Sequence, residues 1–149
     1  MIAVIDLTAE LAKLNMLDGR CPTTTDAEKS GAIARLAPYR DGAVFASKFA
    51  GTSDWERHPR GDEIVHVVEG ATTLHLIVAE GRQSVALAAG MVAIVPKDAW
   101  HRFEAPDGVC VVTATPQPTV RAAAEVDDPR TLKLRETGGA PVRANTVLR

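Results

Sequence analysis

The residues of this chain best able to do chemistry lie in two short segments. In WERHPRGDEIVHVVEG, residues 55–70, Glu56, His58, Asp62 and Glu63 surround a Pro59–Gly61 turn, and a run of β-branched residues follows. Such a turn folds two strand ends together, so these side chains can converge on one point. Imidazole nitrogen and carboxylate oxygen are the donors that suit borderline divalent metals. A second segment, GMVAIVPKDAWH, residues 90–101, repeats the pattern: glycine, apolar strand, proline turn, then a histidine opening the next strand. Together they can bring His58, Glu63 and His101 to one cavity. Two histidines and one carboxylate leave positions on a metal open for substrate or oxygen.

The spacing resembles that of the cupin family. The family's first motif reads G-(X)5-H-X-H-(X)3,4-E-(X)6-G, and its second half is intact here as His58, Glu63 and Gly70. The second motif reads G-(X)5-P-X-G-(X)2-H-(X)3-N, and Gly90, Pro96 and His101 stand at its spacing. Four positions depart from the pattern. Glu56 replaces the first histidine, and Gly51 lies one residue too close to it. Asp98 replaces the second glycine, and Ala105 replaces the final asparagine. Family members commonly hold a metal with three histidines and a glutamate. The resemblance therefore implies a divalent ion (iron, manganese, nickel or zinc) at His58, Glu63 and His101. Glu56 either completes an oxygen-rich site or turns outward to solvent. The resemblance also implies an all-β double-stranded β-helix, or jelly-roll barrel, and a homodimer.

The 149 residues amount to one domain, long enough to bury a core. A net charge of -2 gives no electrostatic footprint for nucleic acid, and no basic block suggests a membrane surface. Asp6 and Glu10 stand where a signal peptide would be apolar. No apolar run approaches a membrane span. A cytoplasmic protein is expected, with Cys21 and Cys110 as incidental thiols.

Three regions follow from the patterning. Residues 1–42 read as a short helix and an irregular lead-in, 43–115 as the barrel, and 116–149 as an extended C-terminal segment. DLTAELAKLNML, residues 6–17, sets Leu7, Leu11 and Leu14 on one helical face, with Asp6 or Thr8 as N-cap. AEKSGAIARLAPYR, residues 27–40, is either a helix interrupted by Gly31 or an irregular segment on a sheet edge. From Ala43, apolar runs alternate with turn residues in the rhythm of a sandwich or small barrel. Period two puts Glu63, Val65 and Val67 on one face of a strand, and Ile64, His66 and Val68 on the other. His101 and Phe103 share a face, with Arg102 opposite. With the Glu63 face inward, polar ligands cluster near one mouth of an apolar interior, which is a natural small-molecule site.

Other polar and aromatic residues read more plainly. Asp62 is a turn residue, and His66 faces outward. The register of TTLHLIVA puts either Leu74 and Leu76 or His75 and Ile77 inside; the first buries leucines and makes His75 structural. Trp55 and Trp100 read as aromatics at the rim or an interface, with stacking on substrate as the sharper alternative. Arg57, Arg60 and Arg102 either are solvated or recognise an anionic group. The functional expectation is a metal-binding cupin acting on a small molecule, as an oxygenase or isomerase. The alternative is a non-catalytic binding or sensing module with a degenerate metal site.

Overall fold

The alternating pattern from residue 33 onward forms strands because each can bury one face and solvate the other. The computed structural model describes residues 2–132 and the strand at 147–148. Helices α1 (Leu7–Ala12) and α2 (Asp26–Lys29) accompany ten strands. These are β1 (Leu17–Arg20), β2 (Ile33–Tyr39), β3 (Gly42–Thr52), β4 (Trp55–Arg57), β5 (Glu63–Val78), β6 (Gly81–Ala88), β7 (Val92–Val95), β8 (Trp100–Pro116), β9 (Thr119–Ala122) and β10 (Val147–Leu148). They make one sheet, antiparallel except where β1 runs parallel to β3. No helix among the described residues is long and apolar enough to cross a membrane.

Two long strands turn this sheet into a roll. The first part of β5 pairs with β7 and with residues 111–114 of β8. Its last part pairs with β6 and with residues 100–104 of β8. Between them the register slips around Gly70, which has φ +74, and a Cβ there would collide with the Gly108 carbonyl oxygen. Glycine meets both demands. The slip also changes which residues face inward: Glu63, Val65 and Val67 before it, Leu74 and Leu76 after it. Val65, Val67, Leu74 and Leu76 join Phe49, Phe103, Val109 and Val111 in the core. Each such apolar side chain contributes about 1.5–3 kcal/mol by leaving water.

The structure extends and corrects the reading of the ends. The sheet is wider than residues 43–115, since β1 and β2 precede that range and β9 follows it. Asp6 caps α1 by accepting from the Ala9 amide, as its position suggests. The helix stops at Ala12 rather than near residue 17, because Leu17 is needed in β1 opposite Phe49. β1 crosses so near β3 that a Cβ on Gly51 would strike the Arg20 backbone; Gly51 has φ +120. Residues 27–40 are neither an interrupted helix nor irregular. They give α2, capped by a reciprocal Thr25–Glu28 box, and then β2. Among the described residues β2 pairs with β3 alone, and an edge strand tolerates Pro38. Both cysteines are free. Of the expected C-terminal segment, residues 133–146 and 149 lie outside the described residues.

Candidate metal centre

Two turns stitched to each other build the site. The Asp98 amide donates to the His58 carbonyl at 2.9 Å, and the Lys97 amide donates to the Asp62 carboxylate at 2.7 Å. The bend after β4 is thereby pinned to the bend before β8. Asp98 takes φ +62, a left-handed conformation that glycine adopts freely and aspartate tolerates. Glu56 on β4 sits directly opposite His101 on β8, and Glu63 opens β5.

Glu56, His58, Glu63 and His101 come together, with one donor atom from each lying within 4.8 Å of all the others. His58 Nε2 is 3.0 Å from Glu63 Oε2 and 4.0 Å from Glu56 Oε1. His101 Nε2 is 3.2 Å from Glu63 Oε1 and 3.6 Å from Glu56 Oε1. The imidazole centroids are 5.1 Å apart. His58, Glu63 and His101 are buried.

The bonding pattern fits a metal. His101 Nδ1 donates to the Ala99 carbonyl at 2.9 Å, which leaves Nε2 as the inward atom. His58 Nδ1 is 3.0 Å from the Thr119 hydroxyl, so its Nε2 also points inward. Thr115 donates to Glu63 Oε2 at 2.6 Å and is itself 2.8 Å from the Thr113 hydroxyl. Yet His58 Nε2, His101 Nε2 and Glu63 Oε1 have no hydrogen-bond partner among the described residues. Buried polar atoms are rarely left so, and three facing one centre are what a shared cation would satisfy. Glu56 is divided: Oε1 faces the histidines, and Oε2 lies 3.7 Å from Arg121 Nε.

The electrostatics are tightly balanced. Burial alone would lower the His101 pKa, but the Glu56 and Glu63 carboxylates outweigh it and push it up to about 10. Burial would raise both glutamates. For Glu63 the two imidazoles reverse that; for Glu56 the imidazoles and Arg121 do, holding it well below the usual carboxylate range. The cluster favours a positive species at its centre, whether a proton on His101 or a cation.

A cavity of about 330 Å³ adjoins the cluster and reaches Glu56, His58 and Glu63. Phe45, Phe49, Phe103 and Val111 form an apolar wall; Arg20, Lys29 and Arg121 form a cationic one. Sequence reasoning missed that cationic wall. Arg57, Arg60 and Arg102 do not line this cavity. Arg57 pairs with Asp98 and lies over Trp100, and Arg102 lies 4.7 Å over the Trp55 ring. Trp55 is fully buried rather than at a rim, its indole donating to the Val126 carbonyl at 2.9 Å. Thr113, Thr115 and Thr119 were also missed. The alternation Val111, Thr113, Thr115 was the available signal for the first two, since it continues the inward face of β8.

Comparison with known proteins matches residues 48–114 to the family described as Cupin domain. The chain carries a cupin domain. A cupin-2 domain containing protein from Shewanella frigidimarina is 20% identical, with a TM-score of 0.58; the match covers 76% of this chain and 95% of that one. A protein from Neisseria meningitidis is 22% identical at a TM-score of 0.55, over 77% of this chain and 100% of the other. Hydroquinone 1,2-dioxygenase from a Sphingomonas species is 19% identical at 0.51, over 58% and 65%. At these identities the likeness shows the cupin fold. No curated protein matches the chain in sequence. Within the cupin domain, Glu56 stands at the first-histidine position and still faces the same centre as the other three side chains.

Proposed function

We propose that this cupin-domain protein holds a divalent metal through His58, Glu63 and His101, with Glu56 as a fourth donor, and acts there on a small molecule bound in the adjoining cavity. The observation that carries the proposal is that His58 Nε2, His101 Nε2 and Glu63 Oε1 are buried and turned toward one centre, in close ion-pair contact but with no hydrogen bond of normal geometry among the described residues. When bound, the metal would supply Lewis-acid polarisation and open coordination positions. The chain's own residues do the rest. Ala99 and Thr119 fix the ring orientations, Thr115 steadies Glu63, and Arg121 draws on the outer oxygen of Glu56. The phenylalanine wall limits water around the reacting end of the ligand. An oxygenase and an isomerase can both use this donor set, and oxygen consumption during turnover separates them. Ile64 and Ile94 lie side by side and exposed on β5 and β7, with Val92 nearby, which supports a homodimer.

The experiment is metal analysis of the purified wild type and of His58→Ala and His101→Ala. About one ion per chain in the wild type and none in either variant is the expected result. A wild type that stays metal-free after incubation with iron, manganese, nickel or zinc overturns the proposal. One observation favours the second reading, a non-catalytic binding module. Glu56 adds a negative charge that His101, once protonated, neutralises without any metal. Ligand affinity equal with and without chelator would support that reading.

A further inference from the structure

The cavity beside the cluster has a charge pattern that the metal reading does not use. Arg20 comes from β1, Lys29 from α2 and Arg121 from β9, and each is more than nine-tenths buried. All three converge on one carboxylate, Asp54, at long distances: 3.4 Å from Arg20, 3.6 Å from Lys29 and 3.6 Å from Arg121. Glu56 adds a weak contact to Arg121, but its other oxygen, like the Glu63 carboxylate, faces the His58 and His101 rings. Asp26 at the mouth reaches Arg121 only at 3.8 Å, and its side chain is 68% exposed. Arg20 and Lys29 thus both lean on Asp54, a carboxylate that Arg121 also contacts, and burial lowers the pKa of both despite it. Buried positive charge in excess is costly unless something negative joins it.

The hydrogen-bonding capacity tells the same story. Arg20 Nε is buried without a partner among the described residues. The Lys29 ammonium makes an ion pair with Asp54 at 3.6 Å, beyond hydrogen-bond distance. Gln117 lines the same cavity, and both its side-chain Nε2 and Oε1 are buried without hydrogen-bond partners among the described residues. Phe45, Phe49 and Phe103 add apolar surface to the same cavity, and the Arg20 guanidinium lies 4.4 Å over the Phe49 ring.

We infer that the cavity takes a small organic carboxylate, its charged group held by Arg20 and Lys29, its apolar body on the phenylalanine wall, and a polar substituent within reach of the Gln117 amide. This rests on the reading of the cavity as a small-molecule site, and it names the chemical class of that molecule. It does not need the metal. A guanidinium fork and an ammonium together recognise a carboxylate through charge-assisted hydrogen bonds, which a neutral isostere cannot match.

Calorimetric titration with benzoate and with benzamide, at one pH and ionic strength, tests this directly. The wild type is expected to bind benzoate at least tenfold more tightly. Arg20→Gln and Lys29→Met should each cut that preference severalfold, with metal content unchanged; if Arg20→Gln fails to fold, Lys29→Met and the wild-type comparison still decide. Benzamide binding as tightly as benzoate, no binding of either, or an undiminished preference in a folded variant overturns the inference. Metal analysis of the same samples keeps the two proposals apart. A benzoate preference in metal-free protein leaves this inference standing while the metal reading falls, and metal uptake without the preference does the reverse.

Discussion

Two histidine clusters in this molecule pair imidazole with glutamate, and they differ in what they leave unsatisfied. On the outer face, His75 bridges Ser84 on β6 and Glu104 on β8, with Nδ1 and Nε2 each 2.7 Å from its partner. Both ring nitrogens are satisfied, and the Glu104 side chain is 51% exposed. Inside the roll, His58 and His101 each anchor Nδ1 and leave Nε2 facing carboxylates without a hydrogen bond. Residue types alone do not separate a structural network from a ligand site. What separates them is which atoms are already partnered, and whether the remainder share a centre.

That contrast breaks most sharply on deletion of a histidine. His58→Ala or His101→Ala should abolish retained metal after dialysis, whereas His75→Ala should leave metal content at the wild-type value; metal analysis of all three variants reads the difference. A smaller effect is expected from Thr119→Val, which removes the group orienting His58 but no donor atom. Metal affinity should fall about 10–100-fold, measured by competition with a chromophoric chelator, because outer partners hold the ring in place.

Protons sharpen the same comparison. In metal-free protein the His101 pKa is raised from 6.5 to about 10. A raised histidine stabilises the fold fully below its unfolded pKa and loses that contribution as pH climbs through its folded one. Thermal melts of metal-free protein should therefore show this contribution declining between pH 6.5 and 10, and His101→Gln should lack that decline. Metal must displace the same proton. Calorimetry in buffers of different ionisation enthalpy should find about one proton released per ion near pH 7.5. The smallest effect belongs to the outer cluster. Ser84→Ala should cost no more than about 1 kcal/mol in chemical denaturation, since water replaces the lost partner there.

The convergence of His58, Glu63 and His101 was legible in the sequence because its information is local. His58, Glu63 and His101 stand at fixed distances from turn-forming glycines and prolines, and period two assigns Glu63 to the face of Val65 and Val67. The burial of Leu74 and Leu76 followed from the same rule, although the slip at Gly70 makes it a change of parity rather than a continuation. The cationic wall was not legible. Arg20, Lys29, Asp54 and Arg121 come from four places in the chain, and a single arginine near a loop reads as solvated until the sheet is closed. Trp55 misled for a related reason. Its cover comes from Val126, Ala122 and the Arg102 guanidinium, all distant in sequence. β1 escaped notice because LDGR has no strand pattern; it pairs through backbone, where Gly51 admits it.

X-ray absorption spectroscopy of the metal-loaded protein tests the central claim most directly. A first shell at about 2.0–2.2 Å with two imidazole nitrogens and carboxylate oxygen, losing one imidazole in His101→Ala, is the predicted result. A bound ion with no histidine scattering, or one whose shell is unchanged in that variant, would contradict it.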